Sequence, residues 1–366
     1  MTDTQDLLAR LAEITPNSPL AQARATRQAA TEGIEASYQR LFAPQDVGGF
    51  GIAERLLLAQ RISEWHGDRQ LAAHYGQLQQ TQPADGPRLQ AALDHAERLV
   101  FKPAGAEAKH LQALQQAGWS LADIVTLSQL IAFVSFQSRL LFGYRLLSGL
   151  PVATSGHAPV RASAWRTASH TASGRHAPPA FTRQELGWEP WIAAKPLEAF
   201  DEPGKALLTK FGHADSDYFR LLARDHAVLE QRTITDRGIF YTSGGLARKD
   251  RELAAAVASK VNGCIYCASV HARKAAQLSK RVEEVQRLLD IAPGRILSEG
   301  QGEDWRTQID FAAALSATPP QANAAQLHAL REQGLGELEL LDLVQATAFF
   351  AWANRLMLTL GEPYDD

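Results

Sequence analysis

Residues 252–271 read ELAAAVASKVNGCIYCASVH. From Glu252 to Val261 the run is alanine-rich and free of proline, and it stops on Asn262-Gly263, so it predicts a helix with a defined end. Asp250 can cap that helix, which places Glu252 in its first turn. A second helix is predicted from about Cys264. Its first turn then holds both cysteines, where unpaired N–H groups and the helix dipole favour a thiolate. Cys264, Cys267 and His271 stand at i, i+3 and i+7 and share one helical face. His271, one turn beyond Cys267, can exchange a proton with that thiol. CxxC spacing at a helix start also lets two sulfurs reach bonding distance, so a reversible disulfide is geometrically natural.

The same helical spacing recurs outside this stretch. Leu121, Ile124, Val125, Leu127 and Ser128 open one periodic segment, and Leu338, Leu341, Val344 and Ala348 mark another. Strand-like alternation is nearly absent, and the fold class read from the sequence is all-α. Among 366 residues 45% are hydrophobic, which supplies a sizeable core, and the length suits two domains. The net charge of -3 gives no reason to expect nucleic acid or an anionic membrane as partner. The first residues, MTDTQDLLARLAEITP, carry acids and lack the apolar run of a signal peptide. The richest apolar stretch, Ile124 to Phe142, is interrupted by Thr126, Ser128, Gln129, Ser135, Gln137, Ser138 and Arg139, so no membrane span is expected. Only two cysteines are present, three positions apart, which does not suit a secreted disulfide scaffold. The expected compartment is the reducing cytoplasm, where a lone CxxC reads as redox-active or metal-binding.

Residues 151–184 differ in composition from the rest. From Pro151 to Thr182 there is no Asp or Glu, and Pro, Ser, Thr, Ala and Gly dominate. This marks a linker between a domain at 1–150 and a domain at 185–366. Its three Arg and three His could hold an anion, but a solvated connector is the simpler expectation. The two sides look related. At a constant offset of 216, Leu111, Ala113, Leu114, Gly118, Leu127, Gln129, Ala132, Phe133, Arg139 and Leu140 meet identical residues between Leu327 and Leu356. This predicts an internal duplication. Upstream, setting Glu54 against Glu252 sets His66 against Cys264, so the first half keeps the scaffold and lacks both cysteines.

The residues alone leave other readings open. CxxC with His271 could be three zinc ligands, but no fourth Cys or His has the usual spacing, and no metal is expected. The two cysteines could be buried and inert. Glu252 could merely complement the helix dipole. Tyr266 is expected to pack. Phe349, Phe350 and Trp352 could line an apolar pocket, though helical spacing favours a core role. Arg139 and Arg355 are expected in an ion pair or at a helix C-terminus. The glycine clusters at Gly48-Gly49-Phe50-Gly51 and Ser243-Gly244-Gly245 read as loops, without the context of a phosphate-binding motif.

Glu252, Cys264, Cys267 and His271, in the pattern E-x11-C-x2-C-x3-H, resemble the signature of the AhpD-like alkylhydroperoxidase and carboxymuconolactone decarboxylase family, particularly its peroxidase-related branch. The resemblance covers about residues 185–366, and the first half looks like a degenerate copy, giving two tandem related helical domains. It implies a thiol-dependent hydroperoxidase without haem, flavin or metal cofactor. Cys267 would be the peroxidatic thiolate, Cys264 the resolving thiol, and His271 with Glu252 a proton relay. The substrate would be an organic hydroperoxide or hydrogen peroxide. The reductant would be a dithiol protein of lipoyl or thioredoxin type, and the assembly a homo-oligomer, trimer or hexamer. Where the best-known member has a second His, this chain has Tyr266, which puts the strength of the relay in doubt. Two alternatives are a lyase or isomerase acting on a lactone or small acid, and a non-enzymatic redox-responsive interaction protein.

Overall fold

The computed structural model describes residues 6–153, 159–165 and 168–365. In the first half the helices are α1 Leu7–Leu11, α2 Pro19–Thr26, α3 Gln28–Phe42, α4 Ile52–Trp65, α5 Arg69–Leu78, α6 Pro87–Phe101, α7 Ala108–Gln116 and α8 Leu121–Leu147. In the second they are α9 Glu202–Phe211, α10 Asp217–Leu222, α11 His226–Phe240, α12 Arg248–Asn262, α13 Ile265–Ser279, α14 Val282–Asp290, α15 Glu303–Ser316, α16 Ala324–Glu332 and α17 Glu337–Leu360. The fold is all-α. Its only sheet among the described residues is a short antiparallel pair, β1 Gly187–Pro190 with β2 Gly361–Tyr364.

The hydrophobic pattern decides which helices lie at the centre. α8 and α17 are apolar on every side rather than on one stripe, so both must be surrounded, and they pack along each other. α8 is long and apolar enough to cross a membrane, yet it is wholly buried in the fold. Two of the hydroxyls that interrupt its apolar run are satisfied within the helix. Ser128 Oγ donates to the Ile124 carbonyl at 2.8 Å and Ser135 Oγ to the Ile131 carbonyl at 2.8 Å. A single core cluster runs from Leu7 to Leu360, drawing on both halves.

The stretches that match at an offset of 216 occupy matching helices. α7 and α8 begin 216 positions before α16 and α17. Arg139 on α8 donates to the carbonyls of Ser316 and Ala317 at the end of α15, at 3.0 Å each. Arg355 on α17 donates to the Val100 carbonyl near the end of α6 at 3.1 Å. Each half thus caps a helix of the other, and neither arginine forms an ion pair among the described residues. Between α8 and α17 Phe136 stacks on Trp352 at 5.5 Å. Phe133 meets Trp352 at 5.1 Å and Phe136 meets Phe349 at 5.9 Å as a related pair.

Upstream the structure corrects the sequence register. Arg55 Nε donates to the Phe50 carbonyl, and its Nη groups to the carbonyls of Leu41 and Val47. Arg251 does the same with Leu246, Ile239 and Gly244. These two arginines are therefore equivalents, at an offset of 196 rather than the 198 that pairs Glu54 with Glu252. Cys264 then corresponds to Asp68, Cys267 to Leu71, His271 to Tyr75 and Glu252 to Leu56. The first half lacks all four residues, not only the cysteines.

The linker also departs from a solvated connector in its described parts. Phe181 and Leu186 are buried, Trp165 meets Phe181 edge-on at 5.2 Å, and the Ala162 N–H bonds the Arg295 carbonyl at 2.8 Å. Apolar residues spaced through a polar composition are enough to fasten it to the second half. Arg161 bonds the Gly294 carbonyl and Arg175 lies over the Tyr364 ring, so both are structurally engaged. His157 and Arg166, from the set considered for an anion, lie outside the described residues.

Candidate active site

α12 and α13 form the hairpin that builds the site. α12 starts at Arg248 with Ala247 as its cap, so Asp250 is not the capping residue; its carboxylate instead accepts the Trp305 indole N–H at 3.0 Å. α12 ends on Gly263 in the left-handed region, φ 74°. A Cβ there would lie 2.6 Å from Ala104 Cβ and 2.7 Å from the Ala164 carbonyl oxygen, so glycine is required both for conformation and for space. The turn makes Cys264 the N-cap residue of α13 and places Cys267 within its first turn.

Both cysteines are free and buried, 1% and 5% exposed. The Cys264 sulfur faces the Cys267 thiol, the Cys267 N–H and the Asn354 side chain. Burial pushes the Cys264 thiol well above its ordinary range, and the adjacent Cys267 adds to that. Cys264 is therefore held as a neutral thiol.

Glu252 reaches across from α12 to α13. Its Oε2 lies 2.5 Å from His271 Nδ1, and its Oε1 accepts from Arg248 Nε at 2.6 Å. The carboxylate is fully buried. Burial alone would raise it, but His271, Arg248 and Lys274 outweigh that and hold the carboxyl below its ordinary range. Glu252 is thus an anion that orients the imidazole through Nδ1 and leaves Nε2 for other chemistry. Phe350 closes one side of the ring at 4.4 Å and Phe240 another at 6.0 Å. No hydrogen bond joins His271 to Cys267 among the described residues; the shared face is there, but the histidine pairs with Glu252 instead. Among the described residues no cluster of three His, Cys, Asp or Glu is arranged to hold a metal.

Several residues around the thiols were not anticipated. Arg232 on α11 is 5% exposed, yet makes no ion pair or side-chain hydrogen bond among the described residues. Its guanidinium lies 5.2 Å over the Phe349 ring and 5.9 Å over the Tyr218 ring. The Tyr218 hydroxyl is buried without a partner. Burial pushes it up, Arg232 opposes that, and the two cysteines reinforce it. One turn beyond Arg232, burial also raises Asp236 against the pull of Arg232 and His271. Asn354 and Arg248 complete the surroundings. Nothing in their local sequence marks these residues, because they reach the site from separate helices.

Beside Cys264 opens a narrow apolar pocket walled by Trp165, Trp188, Trp191, Tyr266, Met357 and Pro363. Tyr266 is thus a wall residue and takes no part in the Glu252–His271 pair. Phe349, Phe350 and Trp352 are core residues, and the aromatic wall comes from the linker and β1 instead.

Residues 226–293, from α11 to just beyond α14, match the Carboxymuconolactone decarboxylase family. This segment is similar to that family. Glu252, Cys264, Cys267 and His271 all lie inside the family segment. The chain is also similar to a solved structure from Ralstonia eutropha JMP134, described as the alkylhydroperoxidase AhpD core of an uncharacterized peroxidase-related protein. That similarity has 22% identity, 45% coverage of this chain, 86% of the other and a TM-score of 0.37. No curated protein matches the chain.

Proposed function

We propose that the family segment is a thiol-dependent hydroperoxidase using Cys264 and Cys267. The observation that carries this is the buried Glu252–His271 pair set on the same hairpin as two buried free thiols. In the first step the Cys267 thiolate attacks the terminal oxygen of ROOH. The O–O bond breaks, Cys267 becomes a sulfenic acid, and the RO⁻ leaving group takes a proton from His271 to depart as ROH. In the second, Cys264 loses its proton to the same relay and attacks the Cys267 sulfur. Hydroxide leaves as water and a Cys264–Cys267 disulfide remains. A dithiol protein of lipoyl or thioredoxin type then takes the disulfide and restores both thiols.

The role assignment is supported by burial of Cys264, which keeps it protonated and so makes it the poorer first nucleophile. Glu252 fixes the imidazole and stabilises its protonated form before the first step and after Cys264 has given up its proton. We further propose a cytoplasmic homo-oligomer. The test is to mix reduced protein with cumene hydroperoxide and count free thiols. Both should be consumed per equivalent; Cys267→Ser should abolish turnover, and Cys264→Ser should leave a sulfenate that dimedone traps. Survival of both thiols, while a control peroxidase is oxidised, would end the proposal.

A further inference from the structure

Behind Cys264 a closed set of hydrogen bonds locks the orientation of one buried amide. Asn354 lies on α17 and is fully buried. The Ser259 hydroxyl donates its proton to the Ala255 carbonyl at 2.7 Å, so Ser259 Oγ can only accept from other groups. Asn354 Nδ2 fills that role at 3.0 Å, which fixes nitrogen on the Ser259 side and oxygen on the other. Asn354 Oδ1 there accepts the Asn262 amide at 3.0 Å. One N–H of Asn354 is thus committed to Ser259 and a second remains. The Asn354 side chain is also hydrogen-bonded to the Cys264 sulfur.

The use of that second N–H follows from the state of the sulfur. Burial and the neighbouring Cys267 thiol push the Cys264 thiol up. The Cys267 N–H and the Asn354 side chain act the other way, because a donor bonds a thiolate more strongly than a thiol. Cys264 must become a thiolate before it can resolve a sulfenic acid. The first half carries the same pairing. Asp68, the N-cap residue of α5, stands where Cys264 is the N-cap residue of α13. Ser138 on α8, 216 positions before Asn354, is hydrogen-bonded to Asp68. A side chain of the long central helix therefore reaches the N-cap side chain of the hairpin in both halves.

We propose that Asn354 is a positioning residue for the resolving step: its locked amide holds the Cys264 sulfur towards Cys267 and stabilises it as the attacking thiolate. In that step the Cys264–Cys267 S–S bond forms as the S–O bond of the Cys267 sulfenic acid breaks. The Cys264 proton ends on the departing hydroxide, which leaves as water, and the hydroperoxide of the preceding step is the oxidant. The inference deepens the hydroperoxidase reading and rests on it for the sulfenic acid.

The reduced full chain is mixed with hydrogen peroxide and quenched at intervals with dimedone for mass mapping. Sulfenate formation depends on peroxide concentration, whereas disulfide closure does not. Asn354→Asp keeps the shape and the acceptor for Asn262 without the amide donor; Asn354→Leu keeps the volume, and circular dichroism checks that each folds. In either variant the first phase should be unchanged, closure should slow about tenfold or more, and the Cys267 dimedone adduct should accumulate. The rise of the closure rate with pH should also move to higher pH, which a packing defect alone would not cause. Tyr218 and Tyr266 also face the sulfurs with hydroxyls pushed up by burial, and Glu362 on β2 lines the pocket beside Cys264. These groups are common to wild type and variants. Diamide, which oxidises a dithiol without a sulfenic acid, separates the two readings. If wild type closes its disulfide with diamide and ignores peroxide, the hydroperoxidase reading fails, and the role of Asn354 is decided by whether closure with diamide slows by the same factor. Unchanged closure, equal slowing of both phases with an unmoved pH profile, loss of the fold in both variants, or a wild type that closes no disulfide with either oxidant would each overturn the inference.

Discussion

Replacing Glu252 with Gln isolates what the buried anion does. The side chain keeps its volume and one acceptor oxygen, so packing is preserved. What is lost is a charge that accepts from Arg248 at 2.6 Å and pairs with His271 at 2.5 Å. A hydrogen bond to a charged group contributes about 1.5–3 kcal/mol, and removing one partner of a fully buried pair costs about 3–5 kcal/mol. Neither partner is fully buried here: the Arg248 side chain is 27% exposed and that of His271 17%, so both can be partly rehydrated. The expected cost at pH 7 is therefore about 2 kcal/mol. The sign of its pH dependence follows from the carboxyl, which is held below its ordinary range in the folded protein. Its charge stabilises above the unfolded value, roughly 4.3, and that contribution fades as pH falls through the folded value. Urea midpoints of wild type and variant should thus differ at pH 7 and converge towards pH 3. Peroxide turnover should drop by roughly 10²–10⁴-fold if His271 acts as the proposed acid and base. A stability gap that stays constant from pH 7 to pH 3 would refute the charge argument. Unchanged turnover would refute the relay.

Other outcomes follow from single features. Asp342 accepts two bonds from Arg27 and the Leu246 N–H, with both side chains 1% exposed, so Asp342→Asn should cost about 3–5 kcal/mol in a urea titration. Gly263→Ala combines a left-handed φ with overlap onto the Ala164 carbonyl; it should lower stability by about 2 kcal/mol or more and slow disulfide formation by hydrogen peroxide. Cys264, held protonated by burial, should be alkylated by iodoacetamide at pH 8 at least about tenfold more slowly than a free cysteine, with peptide mass mapping as the readout. Residues 185–366 expressed alone should be insoluble and recover when co-expressed with residues 1–150. Exposing Phe349, Trp352 and their neighbours forfeits about 1.5–3 kcal/mol each, and a few such losses match a domain's whole stability.

What was legible in the sequence was local. Asn262-Gly263 announces a helix end because only glycine takes the left-handed turn without strain, and the register of Cys264, Cys267 and His271 survives intact on α13. The offset of 216 was readable because α7 with α8 and α16 with α17 share their loop lengths. The upstream offset was misread by two residues because a glutamate near a helix start is a weak marker, whereas the real landmark is an arginine gathering three carbonyls from a preceding loop. Arg55 and Arg251 reveal that only once the loops are seen. Arg232, Asp236, Tyr218 and Asn354 were invisible for another reason. They come from three different helices, α10, α11 and α17, and burial of a guanidinium leaves no trace in local composition.

The reciprocal caps make each half depend on the other for a helix end. Arg139 serves a helix end in the second half and Arg355 one in the first, so selection for the second site alone still preserves the helices of both. That constraint acts on backbone carbonyls and on the aromatic seam between α8 and α17. It does not act on the turn at Gly67-Asp68, which is equivalent to Gly263-Cys264 and free to change side chains. Asp68, Leu71 and Tyr75 stand there where the other half has Cys264, Cys267 and His271. Tyr75 was absorbed into the core through Gln137 at 2.5 Å. Asp68 has a plain scaffold role: it is the N-cap residue of α5 and its Oδ1 accepts the Leu71 N–H at 3.0 Å, at the position where Cys264 is the N-cap residue of α13.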